Sequence, residues 1–172
     1  MKNGHHVPRG PFTVRMKPKL FAQLRPRQPL SALILALDDD WRPPEPQDQG
    51  GIWGVNHGCF ARIDVQQQLG VVGFYRAFPG AFSFEGLSLG MSLAVARAHR
   101  PTLTPAALPP GQPVQLTEYR DLTAAGDLLR VRFFRRQLVG LELECPGRVY
   151  PGAPAEAPAD PSGPGLEQAW GG

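Results

Sequence analysis

The 172-residue sequence predicts an α+β fold, with two tandem helix–three-strand units forming an antiparallel sheet with helices on one face. Three observations lead there. Two short apolar segments, "LSALILALDDDWRP" (30–43) and "GMSLAVARAHRP" (90–101), both read as helices and both end in Arg-Pro. Each is followed by a proline-rich loop, "PEPQDQGG" or "TLTPAALPPGQP", and then by strand-like runs. The runs also repeat. "LGVVGFYRAFPG" (69–80) matches "QLVGLELECPG" (137–147) with Gly73 against Gly140 and Pro79-Gly80 against Pro146-Gly147, a spacing of 67. Just upstream, "ARIDV" (61–65) matches "LRVRF" (129–133) at a spacing of 68.

In chain order, Pro29 suits the first turn of a helix, where its missing N–H costs nothing. Leu30, Leu33, Ile34 and Leu37 then share a face, and Pro43 and Pro44 stop the helix. "GIWGVN", "CFARIDV" and "VVGFYRAF" read as strands, with Asn56-His57-Gly58 as the first turn. The second helix takes its cap from Ser88 or Ser92, offers Met91, Leu93, Val95 and Ala98 for burial, and ends at Pro101. "PVQLTEYRDL" (113–122), "LLRVRFF" (128–134) and "LVGLELE" (138–144) complete the second unit. Repeat units of about 29–80 and 87–147 lie within a folded domain at 21–149.

The flanks read differently. Met1 to Leu37 holds seven basic residues and no acid, whereas the rest of the chain carries eleven basic and fifteen acidic residues. Residues 1–20 therefore read as a basic disordered arm, with Met16 as an alternative start. Residues 150–172, rich in Pro, Ala and Gly, read as a disordered tail. No apolar run reaches membrane-spanning length, and two cysteines make no disulfide framework, so the expected location is cytoplasmic.

Alternation assigns the strand faces. A three-residue turn at 135–137 would pair Phe133 with Val139, Val131 with Leu141 and Arg130 with Glu142. In the first unit Ile63 and Val65 would face Val72 and Phe74. Arg62, Asp64, Tyr75, Arg130, Arg132 and Glu142 then lie on the sheet face away from the helices, as residues suited to contacting a protein partner. Gly73 and Gly140 mark places where another group approaches the strand closely.

The stretch "FEGLSLGMSLAVARAHRP" (84–101), followed by "TEYRDL", "LLRVRFF" and "LVGLELE", resembles the bacterial unit of the BamE/SmpA type. Tandem units of that kind build β-lactamase-inhibitor proteins, and similar domains occur among toxin-immunity proteins. The resemblance rests on Gly90-Met91-Ser92 opening the helix and covers Phe84 to Glu144. His99-Arg100-Pro101 replaces the glycine that usually closes that helix. It implies a scaffold that grips a partner and carries over no catalytic residue.

Candidate chemistry is sparse. His57 and Cys59 would need an orienting acid and an oxyanion hole to act as a nucleophilic pair, and nothing in the sequence completes them. They have no CxxC or HxxxH companion for a metal, and no phosphate loop occurs. Asp38-Asp39-Asp40 read as the start of a loop. The expectation is a non-catalytic, inhibitor- or immunity-like binding module without metal or cofactor. The alternative is nucleic-acid association through Arg15, Lys17, Lys19, Arg25 and Arg27 of the basic arm.

Overall fold

The computed structural model describes residues 16–37, 52–53 and 58–151. His57, Asp38–Asp40 and Arg15 lie outside them. The elements are α1 (Pro18–Phe21), α2 (Leu30–Ala36), β1 (Ile52–Trp53), β2 (Cys59–Ile63), β3 (Leu69–Tyr75), β4 (Ser83–Phe84), β5 (Leu87–Ser88), α3 (Leu93–His99), β6 (Thr104–Ala106), β7 (Leu116–Leu122), β8 (Leu128–Phe134) and β9 (Gln137–Glu144). Seven strands form one antiparallel sheet in the order β1-β2-β3-β9-β8-β7-β6, and β4 pairs with β5 in a separate hairpin. The class is α+β.

The order follows from sequence adjacency. Strands adjacent in sequence pair in two meanders, β1-β2-β3 and β7-β8-β9, and the last strand of each pairs with the other. β3 meets β9 with Gly73 opposite Glu142, Phe74 opposite Leu141 and Tyr75 opposite Gly140. β6 comes from the proline-rich segment read as loop; Pro105 sits opposite Tyr119 on the sheet's edge, where a strand can tolerate proline.

One face carries the core. Cys59, Ala61 and Ile63 of β2, Leu69, Val72 and Phe74 of β3, Leu138, Leu141 and Leu143 of β9, and Leu129, Val131 and Phe133 of β8 form one cluster with Phe21, Leu33, Ala36, Leu37 and Ala96 of the helical segments. Phe74 lies at its centre, edge-on to Phe21 and Phe78 and stacked on Phe82 at 3.8 Å between ring centroids. In α2 the buried stripe is Leu33 and Ala36, leading to Leu37, while Ile34 is exposed. The expected stripe through Ile34 gives way because the seven-residue helix turns that position outward. In α3 the buried residue is Ala96; Val95 is exposed, and Ser92 Oγ accepts from Val95 N–H at 3.2 Å.

Two register expectations shift. Arg130–Glu142 and Val131–Leu141 pair as expected, but Phe133 meets Leu138 because the hairpin turns on Arg135-Arg136 alone and a bulge takes up Val139. Both arginines have positive φ, 51° and 67°, the backbone of a tight two-residue hairpin turn. In the first meander a bulge at Gly70 puts Ile63 opposite Leu69, and Val65 moves into the exposed turn.

The helix starts are tied to the hairpins in the same way twice. Leu30 N–H bonds Gln67 O and Leu93 N–H bonds Arg136 O, each at 2.9 Å. Arg27 N–H bonds Leu69 O and Gly90 N–H bonds Leu138 O; Gln28 O and Met91 O take the return bonds from Leu69 and Leu138. Arg27 and Gly90 have positive φ, as do Gln67 and Arg136. The ordered fold also takes in residues that the sequence reading gave to the arm: Lys17 N–H bonds Ala36 O, and Met16 bridges to Leu37.

Candidate functional site on the polar face of the sheet

Strand pairing lays the second face out as a grid. One row reads Phe60, Gly73, Glu142, Arg130, Arg120 and Thr104 across six neighbouring strands. The next reads Tyr75, Gly140, Arg132, Glu118 and Ala106. On the other side lie Arg62, Val71, Glu144, Leu128 and Leu122. The alternation "LTEYRDL", "LLRVRFF" and "LVGLELE" produces this grid, since period-two placement sends every second side chain to the same face.

The charges are paired within the grid. Tyr75 O–H donates to Glu142 Oε2 at 2.8 Å. Arg130 reaches Glu142 at 3.6 Å and Glu144 at 2.5 Å. Glu118 accepts from Arg132 Nε at 2.8 Å and from Arg120 Nε at 2.6 Å. Arg120 and Arg130 stand directly opposite each other, a like-charge pair that would be destabilising alone; Glu118 and Glu144 offset it. Burial pushes the Glu142 carboxyl above its usual range, and Arg132 and Arg130 only partly counter it. Burial, then the neighbouring Glu142, raises the Tyr75 phenol well above the ordinary tyrosine value.

The six sequence-predicted residues are thus brought together, but not as an open surface. Tyr75, Asp64, Glu142, Arg132 and Arg130 are all buried, the last at 8% exposure, and Arg62 is half-buried. The expectation of an open face is corrected on this point. Pairing explains how the charges tolerate it: buried ions persist where partners and hydrogen bonds replace water. What reaches solvent is a rim, with the Arg120 side chain 41% exposed and Glu144 21%.

Glycine makes the face compact. A Cβ on Gly73 would lie 2.4 Å from the Phe60 ring and 2.9 Å from the Tyr75 hydroxyl. Phe60 and Tyr75 stack in turn, 5.9 Å apart. Gly70 bears the Tyr150 ring in the same manner, its hydroxyl 2.3 Å from where a Cβ would stand. Tyr150 is buried, although the sequence placed it in the tail, and Arg62 lies 4.0 Å over its ring. Arg148 Nη1 bonds Asp64 Oδ2 at 2.9 Å and Gln68 Oε1 at 2.8 Å. Two buried polar atoms, Arg130 Nε and Tyr150 Oη, have no hydrogen-bond partner among the described residues. Such an orphan costs on the order of 1–3 kcal/mol, comparable to the gain from burying an aromatic ring.

Sequence reasoning missed Glu118, Arg120, Glu144, Arg148 and Tyr150. The first two were legible, because Leu116, Glu118 and Arg120 alternate in β7 and only the pairing with β8 was lacking. Tyr150 sits in a Pro/Gly-rich run whose composition hides it.

The basic residues of the alternative reading are divided. Lys17 and Lys19 are exposed. Arg25 Nη1 bonds the carbonyls of Ala22 and Leu24 while its guanidinium lies over Phe82 and Phe84. Arg27 is salt-bridged to Asp127 at 2.5 Å. Arg25 and Arg27 thus serve the fold, not a free arm. Cys59 is buried beside Met16, its Sγ 3.5 Å from Sδ, and burial pushes its thiol up to about 12. That keeps it protonated and a poor nucleophile at neutral pH. Among the described residues no three metal-ligating side chains gather, and no helix is long and apolar enough to cross a membrane.

Residues 16–152 match the profile of a family described as a domain of unknown function, DUF7256. Comparison with curated proteins gave no match.

Proposed function

The chain belongs to the DUF7256 family, and from that premise we propose that it is a non-catalytic protein-binding module of the inhibitor or immunity kind, built from two copies of one helix–three-strand unit. One observation carries the binding reading. The polar face is a rigid array of Arg, Glu and Tyr side chains, fixed by mutual pairs and ending in an accessible rim of Arg62, Arg120 and Glu144. Fixing such groups before a partner arrives reduces the ordering cost of binding. Charged rims of this sort steer and select partners.

The tandem reading is supported by the paired helix-to-hairpin bonds. The residues that make them are spaced by 63 in the helix segments (Arg27 and Gly90, Leu30 and Leu93) and by 69 in the hairpins (Gln67 and Arg136, Leu69 and Leu138). Hairpin register makes Gly70 the counterpart of Val139 and Gly73 that of Glu142. The spacing is therefore 69, not the 67 that aligns Gly73 with Gly140. The difference of two preserves the faces, which is why the sequence repeat still sorts the strands correctly.

Affinity capture with the intact chain, with and without nuclease, tests the function. One protein recovered in stoichiometric amount in both samples, and lost with Arg120→Ala or Arg62→Ala, is the expected result. Recovery that vanishes with nuclease, or with Lys17→Ala and Lys19→Ala, would replace this reading by nucleic-acid association.

A further inference from the structure

After β9 the chain turns back over the end of the β2–β3 hairpin. Val65 N–H bonds Val149 O at 2.9 Å, Arg148 bonds Asp64 and Gln68, and Tyr150 lies on Gly70 under the Arg62 guanidinium. Two of the face residues singled out from the sequence, Arg62 and Asp64, are thus engaged by this one short segment. We propose that residues 145–150 are a strap that covers this end of the polar face. Its release uncovers Asp64 and frees Arg62, which lies over the Tyr150 ring, for a protein partner presenting an arginine beside a carboxylate. The proposal rests on the binding reading above and names how that face is opened and what it takes.

The strap is held by side chains more than by backbone. Beyond the last ladder bond, Cys145 N–H to Gly70 O, the one backbone bond tying it to the hairpin among the described residues is that of Val65. Segments tied so lightly are those that open locally while the rest stays folded. The Tyr150 hydroxyl is buried and has no hydrogen-bond partner among the described residues, so the closed position gains from the ring and loses from the oxygen. A partner's guanidinium has the same fork geometry as Arg148 and competes with it for Asp64 Oδ2. Asp64 stays in place when Arg148 leaves, because its Oδ1 accepts from Gln66 N–H and Gln68 N–H within the turn.

Amide exchange at Val65 in the intact protein reads the strap directly. Alkylation of Cys145 by N-ethylmaleimide reads it again, with Cys59 in the core as internal control. Arg148→Ala should speed Val65 exchange and Cys145 alkylation about tenfold and leave Cys59 unchanged. Tyr150→Phe, which keeps the ring and removes the orphaned hydroxyl, should slow both. Acceleration of both cysteines together, or an unchanged Val65, overturns the strap. A fluorescent Glu-Arg repeat peptide is the binding probe. It should bind Arg148→Ala about tenfold tighter than wild type, and the gain should disappear when Asp64→Asn is added. Equal binding by all three proteins, with Val65 opening as expected, overturns the uncovered site while the strap stands. Failure of affinity capture, with both strap readouts as expected, overturns the wider binding reading alone.

Discussion

The two faces of the β3–β9–β8 sheet are both buried at the centre, yet by opposite means. On one, Phe74, Leu141 and Val131 pack against helices. On the other, Tyr75, Glu142, Arg130 and Arg132 are closed off through hydrogen bonds and ion pairs. The first face gains from every methylene it hides. The second gains little net energy but fixes which atom meets which, since each charge has a specific partner. The apolar face therefore governs stability, and the polar face governs register.

Substitutions on both faces and at the helix starts can break or sharpen that contrast. Phe74→Ala removes a ring touching three others and should cost about 3–5 kcal/mol in urea unfolding. Were it to cost under about 1 kcal/mol, the core would lie elsewhere. Glu118→Ala leaves Arg132 buried without its carboxylate and should cost about 3 kcal/mol, whereas replacing Glu118 and Arg132 together by Leu and Met should recover most of it. No recovery in the double variant would mean that the pair contributes net stability. Glu142→Gln tests the raised carboxyl. Because the folded state holds that proton more tightly than the unfolded chain, the proton's contribution is present at acid pH and is lost as pH rises through the folded value. The stability advantage of wild type over Glu142→Gln should thus shrink from pH 4 to pH 8; a widening gap would reverse the sign. Ser92→Ala should cost about 1 kcal/mol, as loss of the only side-chain cap seen at a described helix start. Pro29, its counterpart at α2, carries no such bond, and Pro29→Ala should change stability less.

Much of this was legible in the sequence, for identifiable reasons. Strands β2, β3, β7, β8 and β9 follow from alternation bounded by turn residues, and Ser92 and Pro101 delimit α3. Grouping Tyr75, Arg130, Arg132 and Glu142 on one face needed only period two. Three things were not legible. The bulges at Gly70 and Val139 depend on how each turn closes, which the local sequence does not state. The burial of the polar face depends on Glu118 and Glu144 arriving from neighbouring strands, a long-range fact. Tyr150 and Arg148 look like tail until the β2–β3 hairpin is folded beneath them. The first miss lies in how a hairpin closes; the other two concern partners distant in the chain.

The edge strand β6 has a consequence for how these molecules behave at high concentration. A sheet with free hydrogen-bonding groups along its border can keep adding strands, one molecule after another, until it becomes a fibril. β6 is three residues long and its middle residue is Pro105, which has no N–H to offer a newcomer. A second molecule laid along that border would find its ladder interrupted after a single residue. Lateral polymerisation is blocked there by one imino acid, and Pro105→Val would be the substitution to watch for slow aggregation in storage.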